Sequence, residues 1–325
     1  MSAVKFGLFL PTRDFASAKA AALRAEAQGF YSVSLNDHFV SQDGGVDVAQ
    51  LECLTTLTAV AAVTERIKLV PSVIAASYRT PAMLAKMTAT IDQISDGRFI
   101  LGIGSGWNRA EYDAHGYPFP DTAERLDRLE ETIELVRTMW TQDDATYHGR
   151  YYGIDRASSL PRPVQQPHPP IMIGGSSTHL LSIAARHADI VNLIPPTAHG
   201  KDFIKDADAT VRFDRPRLRR RIDALVRLAE TAGRDPGGIE RSGFMLANIS
   251  TDPNHKVFGR LAERLGFADL DSARHSPVAL IGTPQQVIEE LHDRVETDGL
   301  TYFIVVSTSP ETEELLAGEV LPAFA

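Results

Sequence analysis

Cysteine is nearly missing from this chain: Cys53 is the only one among 325 residues. One thiol excludes an internal disulfide and a thiolate metal cluster. The ten histidines include no His-x-x-x-His or His-Glu-x-x-His pair, so no helical zinc motif is present and no metal site is expected. There is no Gly-x-Ser-x-Gly elbow for a serine nucleophile. No apolar run approaches the ~18 residues that span a bilayer. Positive charge is in deficit, with 33 Lys and Arg against 42 Asp and Glu and a net charge of −9, which argues against nucleic-acid and membrane-surface partners. The first ten residues run straight into a strand without a basic flank or a small-residue cleavage site, so a cytoplasmic location is the expectation.

What the chain does have is alternation. Short β-rich runs at Val4–Leu10, Tyr31–Asn36, Ile67–Val73, Arg98–Ile103, Ile171–Ile173, Asp189–Ile194, Ser242–Ile249 and Thr301–Val306 are separated by amphipathic helical stretches. Thr80-Pro81 reads as an N-cap with proline at the first helical position. On the long helix Asp121–Trp140, Glu124, Arg128 and Glu131 stand at ion-pair spacing. Residues 145–154 read as a hairpin that interrupts the pattern, and a charged insertion follows the sixth strand. Eight βα units without a flexible linker predict one domain over residues 1–325, an α/β (β/α)8 TIM barrel with insertions after strands 4 and 6. A doubly wound sheet is the alternative.

In such a barrel, ligands sit at the C-terminal ends of the strands. After strand two come Asp37 and His38, where a carboxylate beside the imidazole could fix its tautomer for proton transfer. After strand three, Ser72 and Val73 lead a run of small and β-branched residues that could form a ring-sized shelf or simply core. After strand four, Gly104, Ser105, Gly106 and Trp107 break the Gly-x-Gly-x-x-Gly dinucleotide spacing, yet would let backbone approach a flat ligand. Trp107 could stack on a ring, line a pocket or only pack. After strand five, Gly174, Gly175, Ser176 and Ser177 precede a helix, a combination suited to cradling phosphate. Together these point to a phosphorylated ring cofactor. The arginines of residues 212–221 read either as a solvated helix face or as a dock for an anionic tail.

Several segments carry a wider likeness: Asp37-His38-Phe39, Tyr78 to Lys86, Thr90 to Trp107, Glu124 to Glu130, His148 to Tyr152, Pro170 to Gly175 and Leu280 to Pro284. In these the chain resembles the bacterial luciferase-like flavin/deazaflavin oxidoreductases, and within them the F420-dependent branch. The resemblance implies a planar ring over the ends of strands two to four, a non-proline cis peptide that matches Ser72-Val73, His38 near the reactive face and the cofactor phosphate at Gly174 to Ser177. It implies an enzyme that moves a hydride between coenzyme F420 and a small organic substrate, and a homodimer. The alternatives are an FMNH2/O2-dependent monooxygenase and, from another class, a barrel that only binds a ligand. Sugar-phosphate dehydrogenases of this superfamily carry a glutamate directly after the strand-four glycine loop. Trp107 stands there, so that activity is not expected and the acid role passes to His38 or the substrate.

Overall fold

The computed structural model describes residues 3–42, 45–175, 177–197 and 203–325. In chain order the main elements are β1 (Lys5–Phe9), α1 (Phe15–Ala27), β2 (Ser32–Leu35), α2 (Cys53–Ala61), β3 (Lys68–Pro71), β4 (Ile74–Ala75), α3 (Pro81–Ile94) and β5 (Leu101–Gly104). There follow α4 (Arg109–Ala114), α5 (Thr122–Thr141), β6 (Ala145–His148), β7 (Gly153–Ala157), β8 (Ile171–Gly175), α6 (Thr178–His187) and β9 (Ile190–Leu193). The chain continues through α7 (Ala207–Arg212), α8 (Arg215–Thr231), β10 (Glu240–Ile249), α9 (Lys256–Arg264), α10 (Leu270–Arg274), β11 (Ala279–Gly282), α11 (Pro284–Asp293), β12 (Tyr302–Ser307) and α12 (Pro310–Leu315).

The main sheet runs in the order β3-β2-β1-β12-β10-β9-β8-β5-β4, with β11 beside β10. β3 and β4 are two pieces of one strand, so the order begins and ends on the same stretch of chain. Eight parallel strands alternating with helices in this order have the connectivity of a (β/α)8 barrel, as the sequence predicts. The third strand breaks at Ser72-Val73 with the non-proline cis peptide that the resemblance implies there, so the strand ends at Pro71 and not at Val73. One detail differs: a third excursion, α9 to β11, follows β10 in addition to those after strands 4 and 6.

Contacts group the described residues into two compact units. One comprises 1–9, 25–32 and 175–325. Within it β12 pairs with β1 and β10, and β10 with β9 and β11, around buried Phe6, Leu8, Val191, Met245, Phe303 and Ile304. The strands are near-continuous apolar runs because both faces of a parallel sheet are covered.

The other unit comprises 10–24 and 33–174. Here β4 pairs with β5 (Ile74 opposite Ile103), β5 pairs with β8, and Leu69 bridges Phe99. A Cβ on Gly102 would run into the Pro71 carbonyl, so glycine is what lets these two strands meet. Buried Leu54, Leu57, Val60, Leu84, Ile91, Ile133 and Trp140 line the inner faces of α2, α3 and α5. Glu52 caps α2 through the Leu54 and Thr55 N–H groups, and Asp121 caps α5. Thr80 holds the N-cap position of α3 without a side-chain cap bond, and Pro81 supplies the start. Arg128 pairs with Glu124, but Glu131 instead accepts the N–H groups of Arg150, Tyr151 and Tyr152, fixing the β6–β7 turn. No described helix is long and apolar enough to cross a membrane.

Candidate functional site

The strand ends of the 33–174 unit bring together His38, Ser72, Val73, Gly104 to Trp107 and Gly174. The bulge is tied to strand two by the Ser72 N–H donating to the Leu35 carbonyl (2.7 Å). Val73 is half-buried and rests on backbone. A Cβ on Gly104 would lie 2.9 Å from its Cγ2, and one on Gly174 would lie 2.8 Å from its Cγ1. The two glycines therefore let the isopropyl group pack against β5 and β8, and the need for glycine at 104 and 174 arises from Val73.

Gly106 has φ of 73°, a left-handed turn that glycine adopts freely, and a Cβ there would strike the Tyr112 hydroxyl. The turn feeds α4, whose first turn aims Glu111 back at strand two. His38 Nδ1 lies 2.7 Å from Glu111 Oε2. The same oxygen accepts the Tyr78 hydroxyl (3.3 Å), while Oε1 accepts the Phe39 and Val40 N–H groups, each at 3.1 Å. Burial works to raise the Glu111 pKa, but the bonds from His38, Val40 and Tyr78 outweigh it and hold the carboxyl below its usual range. A carboxylate held ionised only accepts, so His38 Nδ1 is the donor, and whenever the ring is neutral its lone pair is at Nε2. Burial and the Glu111 charge push the Tyr78 hydroxyl far up, and burial takes Tyr112 up to about 12, so both phenols stay protonated and Tyr78 donates to Glu111.

Asp37 does not fill the role expected for it. Successive side chains of an extended segment point to opposite sides, and Asp37 turns away from His38. It is buried, accepts the Ala75 N–H (3.0 Å) and takes both arms of the Arg79 guanidinium at 2.8 and 2.9 Å. Arg79 also pairs with Glu52. The carboxylate bonded to His38 is Glu111, which is not among the residues expected at the site. It stands four residues after Trp107, in the first turn of α4, and that spacing is the signal in the sequence.

Trp107 is half-buried and meets His38 edge-on, ring centroids 5.5 Å apart at 69°. Phe39, 40% exposed, stacks on His115 at 4.1 Å and meets Tyr78 edge-on at 5.0 Å. Ser105 is half-buried in the glycine loop. Ser77 Oγ and the Tyr112 hydroxyl share a hydrogen bond of 2.5 Å behind that loop.

In the other unit, Gly175 has φ of 151° and its missing Cβ makes room for Leu180. Ser177 caps α6, accepting the Leu180 N–H. Ser176 lies outside the described residues. The arginine-rich segment is largely engaged within its own unit. Arg215 forms ion pairs with Asp293 (2.5 Å), Asp298 (2.6 Å) and Glu290 (3.4 Å), and Arg219 pairs with Asp298 at 2.7 Å. Arg217 donates to the Arg212 carbonyl, and Arg212 faces Asp208. These residues bind α8 to the segment after α11, so a dock for an anionic tail is not what Arg215 and Arg219 provide.

Comparison with known proteins identifies the family. Residues 4–255 match the profile described as luciferase-like monooxygenase. The chain is 36% identical over 282 residues to an FMNH2-dependent dimethylsulfone monooxygenase of Pseudomonas putida, covering 82% of this chain and 76% of that one. It is 33% identical over 330 residues to an F420-dependent glucose-6-phosphate dehydrogenase of Kineococcus radiotolerans, covering 99% and 89%. Among solved structures, a monooxygenase of Streptomyces bottropensis superposes with a TM-score of 0.77 at 25% identity, covering 99% and 100%.

Proposed function

This chain belongs to the luciferase-like monooxygenase family of oxidoreductases, and from that premise we propose that it transfers a hydride between coenzyme F420 and a small organic substrate. The observation that carries the reading is the His38–Glu111 pair, a proton-handling group held in one tautomer on the same strand-end cluster as the Ser72-Val73 bulge. When bound, a deazaflavin supplies two-electron hydride chemistry. The protein supplies the rest. Ser72 and Val73, with Gly104 and Gly174 behind them, support the ring, and Ser105, Gly106 and Trp107 border it. Gly174, Gly175, Ser176 and Ser177 are assigned to the cofactor phosphate. Nε2 of His38 accepts the proton of a substrate hydroxyl in the oxidising direction and returns it in the reducing one. The imidazolium so formed is stabilised by the Glu111 carboxylate already at Nδ1. Asp37 acts at one remove, locking the strand-two end to the backbone after the bulge.

Similarity to an FMNH2-dependent monooxygenase at 36% identity supports a second reading, in which the ring is reduced FMN and the co-substrate is oxygen. Parallel binding titrations of the purified protein with F420 and FMN test the choice. F420 is expected to bind more tightly; FMN binding without measurable F420 affinity would transfer the assignment to the monooxygenase reading.

A further inference from the structure

We infer that the substrate presents a neutral apolar or aromatic body to Trp107, and not an anionic head group. This rests on the proposal that His38 marks the reaction centre. The ring beside the reacting imidazole is Trp107, half-buried and edge-on to His38. The outer side of the cluster is again aromatic, where Phe39 is stacked on His115. A tryptophan face carries negative π density, which attracts apolar groups and cations and repels anions.

An anionic substrate would need a guanidinium or ammonium to receive it. Among the described residues, Arg79 at the strand-two end is tied into a buried pair, and Arg109 and Arg125, which lie over Phe119, each have a partner in the protein. Arg79 is chelated by Asp37 and paired with Glu52. Arg109 pairs with Asp113 and lies over Phe119. Arg125 donates to the Pro120 carbonyl and Thr122 and covers the same Phe119 ring at 4.0 Å. Drawing Arg79 away would leave Asp37 buried and unpaired, a heavily disfavoured state. The position directly after the glycine loop is thus held by an apolar ring, and the carboxylate behind it, Glu111, is saturated by donors from the protein itself.

The test compares matched probes by calorimetry on cofactor-free and cofactor-saturated protein: 2-octanol against octane-1-sulfonate, and 1-phenylethanol against glucose 6-phosphate. The neutral member of each pair is expected to bind at least about tenfold more tightly. It should also move the emission of the half-buried Trp107 to shorter wavelength, since Trp140 is already buried. Trp107→Glu should weaken the neutral probes about tenfold, and Trp107→Phe should hold them within about threefold. Tighter binding of the anionic members overturns the inference, as does indifference of the neutral probes to Trp107→Glu. Binding of neither class to cofactor-saturated protein also overturns it. The cofactor assignment fails separately: FMN in place of F420, with neutral probes still dependent on Trp107, would leave the substrate class standing.

Discussion

The surroundings of His38 and those of Asp298 are both dense with buried charge, yet they are built to opposite ends. Around Asp298 pairing is mutual. Arg215 and Arg219 converge on a carboxylate with no exposed surface, and Glu290 adds a link to the fully buried Arg294. Around His38 the carboxylates Glu111 and Asp37 both have partners, but the pairing at Glu111 terminates at a nitrogen. Glu111 gathers four donors, one of them Nδ1, which leaves Nε2 as the acceptor at the end of the network. A network that ends in an open acceptor can do chemistry, and one in which charges neutralise each other holds helices together. Charge density visible in the sequence does not separate the two; the pairing does.

The largest effects should come from breaking the open network. His38→Ala removes the proton acceptor and should slow single-turnover change of the cofactor absorbance by about 10²–10⁴-fold. Glu111→Gln keeps the shape but no longer dictates which nitrogen carries the proton, and a loss of similar order, about 10²-fold or more, is expected. Cofactor affinity should move little in either variant. Wild-type rates in Glu111→Gln would show that the pair is only structural.

Breaking the closed network should cost stability and leave chemistry alone. Asp298→Ala removes the buried carboxylate that Arg215 and Arg219 share, while Arg215 keeps Asp293 and Glu290. The loss should cost about 1–3 kcal/mol, to be read from urea denaturation, with cofactor affinity unchanged in the folded fraction. A loss of affinity without a loss of stability would reverse the roles assigned to the two regions.

The barrel was legible because buried parallel strands are continuous apolar runs, and all eight stand where those runs lie. β11 (Ala279–Gly282) escaped because it pairs beside β10 as an extra strand after a polar excursion, outside the eight-fold alternation. The candidate site was legible where a residue works through its own backbone neighbourhood, as at the Ser72-Val73 bulge. It was not legible where function depends on a partner chosen in space. Asp37 is adjacent to His38 in sequence but on the opposite side of an extended segment, while Glu111, 73 residues away, is the true neighbour. The geometry that brings Glu111 there begins with the left-handed turn at Gly106. The arginines of α8 misled for the converse reason: their partners at Glu290, Asp293 and Asp298 lie more than seventy residues away.

A smaller effect concerns pH. Because the fold holds the Glu111 carboxyl below its usual range, its ionised form is favoured in the native state. The stability this contributes is fully present above the ordinary glutamate pKa of about 4.3 and is lost as pH falls through the lowered native value. Glu111→Gln lacks that contribution at every pH. Urea midpoints of the two proteins should therefore differ most near neutrality and converge on the acid side. A gap that stays constant to pH 3 would mean that shape alone, and not the charge, accounts for the difference.

The smallest expected effect probes the boundary between the regions. Arg220 is exposed on α8, in the segment whose charge first suggests a dock for an anionic tail. If the segment is an internal clamp, with Arg215 and Arg219 as its working members, Arg220 adds only surface charge. Arg220→Ala should then change stability by no more than about 0.5 kcal/mol, and F420 and FMN affinities should both remain as in the parent. The informative measurement is the ratio of the two affinities, because F420 carries a polyglutamate beyond its phosphate and FMN ends there. Loss of F420 affinity alone, growing as salt is lowered, would return this face of α8 to the cofactor site. An unchanged ratio would leave α8 as structure and place cofactor discrimination at the ring and phosphate residues.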